Sequence, residues 1–128
     1  MISKELSYEV LGCAFEVYNR LGPFLQEHIY QRALEVALSQ KALLWERQVA
    51  VEILFEEEKV GHGLLDLLVE DEIILELKVA DFVHPAHVSQ VIQYLSITGL
   101  ELGYVLNFGS LDKLEFKRVV LTKNSAHG

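Results

Sequence analysis

Three charged side chains stand in otherwise apolar runs. Asp66 interrupts Leu64-Leu65-Asp66-Leu67-Leu68-Val69, and Glu76 and Lys78 interrupt Ile73-Ile74-Leu75-Glu76-Leu77-Lys78-Val79. Strand side chains alternate faces, so Ile74, Glu76 and Lys78 share one. If Glu70-Asp71-Glu72 is a three-residue turn, Val69 faces Ile73 and Asp66 faces Glu76. Directly opposed residues have Cβ atoms ~5 Å apart, where like charges repel. Two carboxylates in an apolar sheet need a compensating charge. Lys78 supplies one and a divalent cation would supply another. A two-residue turn would shift the register by one and send the carboxylates to opposite faces. The segment has no Gly for a tight primed turn, so a longer turn fits at least as well. The ordinary reading is a solvated strand face, where E-x-K is common; Ile74 and Leu68 do not fit such a face.

The elements around these strands add candidates. His87, Gln90 and Tyr94 fall at i, i+3 and i+7 and share one stripe of a helix over 85–97. Val88, Val91, Ile92 and Leu95 form the adjacent apolar stripe, so the polar one borders the packed face and can overlook the carboxylates. The plain alternative is that these groups satisfy backbone at the helix–sheet edge, and for His87 alone it is preferred. Glu27 falls in the first turn of an earlier helix, where a carboxylate complements the helix dipole. Tyr30 is most simply core, Trp45 packing, and Cys13 a small buried hydrophobe. His28, His62 and His84 lack metal-binding spacing and receive no role.

Apolar spacing predicts helices over 3–20 and from 25 to 40, the second with a stripe of Ile29, Ala33, Val36 and Ala37 that Tyr30, Leu34 and Leu38 widen. Leu21-Gly22-Pro23 separates them. Strands follow over 46–55, 59–69 and 73–79, the last two apolar enough to be covered on both faces. After the third helix come strands over 102–108 and 114–121. This order predicts an α/β domain, a mixed sheet with helices on its faces. Residues 1–121 are read as one domain and 122–128 as a flexible tail.

The chain has 128 residues, and with one cysteine it forms no internal disulfide, which suits a reducing cytoplasm. No apolar run reaches transmembrane length and the start lacks signal-peptide character, so no membrane partner is expected. The formal net charge of −8 argues against non-specific grip on phosphate backbones.

The pieces Leu21-Gly22-Pro23, Glu27-His28-Ile29-Tyr30, Glu46-Arg47-Gln48-Val49, Leu65-Asp66-Leu67-Leu68-Val69, Glu76-Leu77-Lys78, Pro85-Ala86-His87-Val88-Ser89-Gln90, Tyr94-Leu95 and Asn107-Phe108 follow one another in a characteristic order. In them the chain resembles the bacterial and archaeal proteins named for a G-x-x-E-x-x-Y motif, placed in the PD-(D/E)XK nuclease superfamily. The resemblance implies a restriction-endonuclease-like core in which Asp66 and Glu76, with Glu27 from the preceding helix, bind Mg²⁺ or Mn²⁺. It implies that Lys78 orients or deprotonates an attacking water, that Gln90 supports the site, and that Tyr94, His87 and Tyr30 stand nearby. The activity implied is metal-dependent hydrolysis of DNA or RNA. Phe24 stands where the motif has its first Gly, and Leu64 where members often carry Arg. The alternative is a catalytically inactive nuclease-fold binding module, acting as a homodimer.

Overall fold

The computed structural model describes residues 4–122. Helix α1, Lys4–Leu21, buries Val10, Cys13, Ala14, Val17 and Tyr18. Gly22 ends it with φ 74, its N–H donating to the Tyr18 carbonyl at 2.8 Å. Helix α2 is Glu27–Gln40. Its buried stripe is Tyr30, Leu34, Ala37 and Leu38, whereas Ile29 and Val36 are exposed. The expected stripe is thus corrected by a rotation of the helix. The larger side chains Tyr30, Leu34 and Leu38 gain most from burial, and Glu35 is drawn inward beside them by two arginines.

Strands β1 (Trp45–Phe55), β2 (Glu58–Val69) and β3 (Ile73–Lys78) form an antiparallel meander. Helix α3, Pro85–Thr98, crosses over to β4 (Leu102–Asn107), which is parallel to β3, and β5 (Glu115–Val120) is antiparallel to β4. The mixed five-stranded sheet has the order β1-β2-β3-β4-β5. One face packs on α1 and α2, with Leu75, Leu77, Tyr104 and Leu106, and the other on α3, with Ile74, Val105 and Val119. Residues 123–128 of the expected tail lie outside the described residues.

The turn between β2 and β3 has the register needed to oppose Asp66 and Glu76, since Val69 pairs with Ile73. It reaches that register differently from expectation. Glu70 and Asp71 are both left-handed at φ 54, with the Glu72 N–H bonded to the Val69 carbonyl at 2.9 Å. A primed turn therefore forms without glycine. Glu70 is fixed there because its carboxylate accepts the Leu44 N–H at 2.6 Å.

Near Asp66 the sheet rolls over. Trp45, Leu67 and Val69 pack in the core under α1 and α2, but Val49, Val51 and Leu65 pack in the core under α3. Even spacing along a regular strand would keep each set on one face. Both strands therefore turn over together between the pairs Arg47↔Leu67 and Val49↔Leu65. Gln48, left-handed at φ 49, makes the turn possible on β1. Beyond it the β1–β2 hairpin leaves β3, whose ladder with β2 stops at Leu67↔Leu75. β2 is therefore covered on both faces only near its end, and its outer half exposes Val60 and Leu64, which corrects the expectation of a fully covered strand.

A left-handed backbone costs an L-residue with a Cβ ~1–2 kcal/mol, and a β-branched one most. Gln48 already bears part of that cost, so Gln48→Ile is expected to lower unfolding stability in urea, whereas Gln48→Gly, free of the Cβ clash, should leave it unchanged or raise it by up to ~1 kcal/mol. Equal losses for the two would show that the left-handed backbone is not required.

Candidate active site

The site forms where β2 and β3 part. Past the last ladder pair, carboxylates replace the missing strand-to-strand bonds. The Leu77 N–H donates to Asp66 Oδ2 at 2.8 Å, and the Asp66 N–H donates to Glu76 Oε1 at 3.3 Å. Each acid thus bonds to the opposite strand, and the two are held side by side. Glu76 is 3% exposed and Asp66 half-buried. Burial first, and the Asp66 charge second, push the Glu76 carboxyl up to about 8, with Lys78 pulling the other way. At neutral pH such a group holds its proton unless a cation displaces it.

Lys78 ends β3 two residues on, half-buried. The loop behind it is fixed by Asn107, fully buried, whose side chain accepts the Ala80 N–H and donates to the Ala80 carbonyl, both at 3.0 Å. Asn107 Nδ2 also donates to Glu115 Oε1 at 2.9 Å, and that oxygen accepts the Val83 N–H at 3.0 Å. A Cβ on Gly109 would lie 2.6 Å from the Ala80 nitrogen, so only glycine permits this approach.

Glu27 begins α2. It is exposed as a residue, yet atoms crowding its carboxyl raise its pKa, chiefly through lost hydration and then through Asp66, opposed by Lys78. It shares the electrostatic field of the strand pair. Tyr30 does not face the carboxylates. Its buried hydroxyl donates to the Gly22 carbonyl and accepts the Leu25 N–H at 3.1 Å, and its ring stacks on Phe108 at 4.7 Å. It anchors the loop that delivers Glu27.

From the other side α3 supplies Tyr94, 8% exposed, whose phenol is raised by burial and then by Glu76. Gln90 Nε2 lies 3.4 Å from the Tyr94 hydroxyl. A Cβ on Gly63 would come within 2.7 Å of the Tyr94 ring, so the rolled hairpin closes over it only because residue 63 is glycine. The His87 imidazole is lowered by burial, then by Lys78 and His84. Its Nδ1 accepts the His84 N–H at 3.2 Å, which leaves the neutral ring's proton on Nε2. His84, given no role in the sequence, thus stands at the start of α3 with its backbone tied to His87.

Sequence reasoning missed a second layer. Glu35, 1% exposed, accepts from Arg47 Nη2 at 2.8 Å and from Arg32 Nη1. Gln31 Nε2 lies 3.4 Å from both Glu35 Oε2 and the Asp66 carbonyl oxygen. This cluster ties α2, about two turns along from Glu27, to β1 beside Gln48. A glutamate on a helix carries no sequence mark of burial. The Arg47-Gln48 pair was visible only as part of a motif. Removing one arginine leaves Glu35 a cation; removing both leaves a buried unpaired charge. Arg32→Met and Arg47→Met are each expected to cost about 1–2 kcal/mol, and the double variant clearly more than their sum in urea unfolding. Additive losses would show that the two arginines do not share the carboxylate.

The family described as the PD-(D/E)XK nuclease superfamily matches residues 4–119, from α1 through most of β5. The chain belongs to that superfamily. Among solved structures, a crystal structure of SSO0001 matches with a TM-score of 0.59 at 20% identity, over 78% of this chain and 52% of that one. The chain therefore spans about half the length of that protein, and the likeness shows the fold. No curated protein matches it. PD-(D/E)XK nucleases generally use divalent ions such as Mg²⁺ or Mn²⁺. Among the described residues no three His, Cys, Asp or Glu side chains are grouped to hold a metal, so Glu27 is not drawn onto the Asp66–Glu76 pair as a third ligand. The donor set nonetheless fits a hard divalent cation: two adjoining carboxylates, one buried and short of positive charge. Among the described residues no helix is long and apolar enough to cross a membrane.

Proposed function

We propose that this PD-(D/E)XK domain is a divalent-cation-dependent nuclease that hydrolyses phosphodiester bonds of DNA or RNA. One observation carries the reading: Asp66 and Glu76 are bonded to each other's strands at the fork, with Lys78 on the same strand as Glu76. Asp66 and Glu76 would hold Mg²⁺ or Mn²⁺, and Glu27, which stands apart from the pair but feels the Asp66 charge, would complete the set only by moving in on the bound ion. A cation bound there would supply a more acidic water and would offset charge on the scissile phosphate. Lys78 orients the attacking water and stabilises negative charge as it develops. Gln90 supports the site through Tyr94, whose raised phenol stays protonated and able to donate. His87, neutral with Nε2–H, borders Lys78. The free, buried Cys13 accords with a reducing cytoplasm.

The test pairs metal titration with cleavage. Binding at the fork raises thermal stability, by about 2.7 kcal/mol at a hundredfold excess over Kd. Mg²⁺ or Mn²⁺ should raise the Tm of the wild type, and the same ions should support cutting of single- or double-stranded DNA or RNA. No Tm shift and no cutting would leave the second reading, an inactive homodimeric binding module. The net charge of −8 and the exposure of Phe24 favour that alternative.

A further inference from the structure

We propose that Phe82 and His84 form a stacking ledge for an unpaired nucleobase of the substrate, beside the carboxylate fork. The inference rests on the nuclease reading and names the form of nucleic acid that the site takes. Phe82 lies in the segment between Lys78 and α3. The backbone on both sides of it is pinned, at Ala80 by Asn107 and at Val83 by Glu115. Val83 is buried, yet the neighbouring Phe82 remains 52% exposed. An aromatic ring held half outward on a fixed loop forgoes part of the burial that would favour the fold.

The ring is not isolated. Its centroid lies 4.1 Å from that of His84 at an interplanar angle of 39°, and His84 meets His87 edge-on at 5.1 Å. His87 in turn feels the Lys78 charge. A row of rings therefore runs from His87, the one within electrostatic reach of Lys78, through His84 to an exposed phenyl. A nucleic-acid strand leaving the fork on this side would meet an aromatic surface.

Charge decides what the row grips. Lys and Arg number 11 against 19 Asp and Glu, so phosphate contacts supply little affinity. Stacking needs no charge and accepts any base. A paired base inside a duplex has no free face to offer. The ledge therefore selects single strands, frayed ends or flaps over intact duplex.

The experiment uses the purified protein with Ca²⁺ in place of Mg²⁺, so that binding is read without cutting. The probes are single-stranded DNA and RNA oligonucleotides carrying 2-aminopurine, and a blunt duplex of the same sequence. Wild type should bind the single strands more tightly and quench 2-aminopurine. Phe82→Ala should weaken single-strand binding roughly 5- to 100-fold and lose the quenching, with the Tm unchanged. Phe82→Trp should restore both. His84→Asn, which keeps a good helix N-cap, should show a smaller loss. The ledge is overturned if Phe82→Ala binds and quenches like wild type, if duplex is preferred, or if the substitution instead changes the oligomeric state. The two readings fail differently. Wild type that binds no oligonucleotide sinks both, whereas wild type that binds and cuts with an indifferent Phe82 sinks the ledge alone.

Discussion

Lys78→Met should reduce phosphodiester cleavage by on the order of a thousandfold while leaving the melting temperature within a few degrees of wild type. On the proposed mechanism the size follows from the loss of a fixed positive charge where negative charge would develop. The side chain is half-buried and closes β3 at its end, so no core contact depends on the ammonium. Asp66→Asn should be as damaging for a different reason. The amide oxygen can still accept the Leu77 N–H now held by Asp66 Oδ2, so the fork should stay formed while one of the charges proposed to hold the cation is lost. Rates on a labelled oligonucleotide, with circular dichroism melting on the same samples, separate chemistry from folding. A folded Lys78→Met enzyme that cuts at the wild-type rate would remove Lys78 from the mechanism.

In metal-free buffer the protein should lose stability as pH rises from about 4.5 towards about 8, and Mg²⁺ should restore it. The Glu76 carboxyl has an ordinary value of 4.5 and is pushed up to about 8 in the fold. Below the lower value folded and unfolded chains both hold the proton, and the term is absent. Between the two values the unfolded chain releases its proton while the folded chain retains it, so each rise in pH favours unfolding. Above the upper value the loss is complete, a few kcal/mol in all. The raised Glu27 carboxyl acts in the same direction. Glu76→Gln keeps an oxygen to accept the Asp66 N–H but has no proton to lose. Without metal at pH 8 it should be more stable than wild type, its pH profile flatter and its response to Mg²⁺ largely gone. Urea unfolding at three pH values, with EDTA or with Mg²⁺, reads all three effects. A wild-type profile that is flat, or that rises with pH, would show that Glu76 is ionised in the fold without a cation.

Much of this was legible in the residue order. The interruption of two apolar runs by Asp66, Glu76 and Lys78 singled out two neighbouring strands, and the period of two put Ile74, Glu76 and Lys78 on one face of β3, although on β2 it breaks at Asp66. The stripe of His87, Gln90 and Tyr94 followed from helical spacing in the same way. These inferences succeed because they concern neighbours along one element, whose directions are set by covalent geometry. The opposition of Asp66 to Glu76 was conditional on a turn length. The turn was settled by Glu70 reaching across to Leu44, a contact between residues 26 apart in sequence.

The roll of the sheet at Gln48 and Asp66 had no local sign, because glutamine does not announce a left-handed backbone as glycine does. The same holds for the rotation of α2, where Ile29 and Val36 were as apolar as Tyr30 and Leu34, and for the burial of Glu35 between two arginines. The sequence by itself determined the kinds of elements and the chemistry that their odd residues allow. Tertiary structure alone decided which face of α2 is inward, where the strands part and which loop residues border the acids. Those choices depend on competition among distant side chains for the same limited interior, and no local window of sequence contains all the competitors.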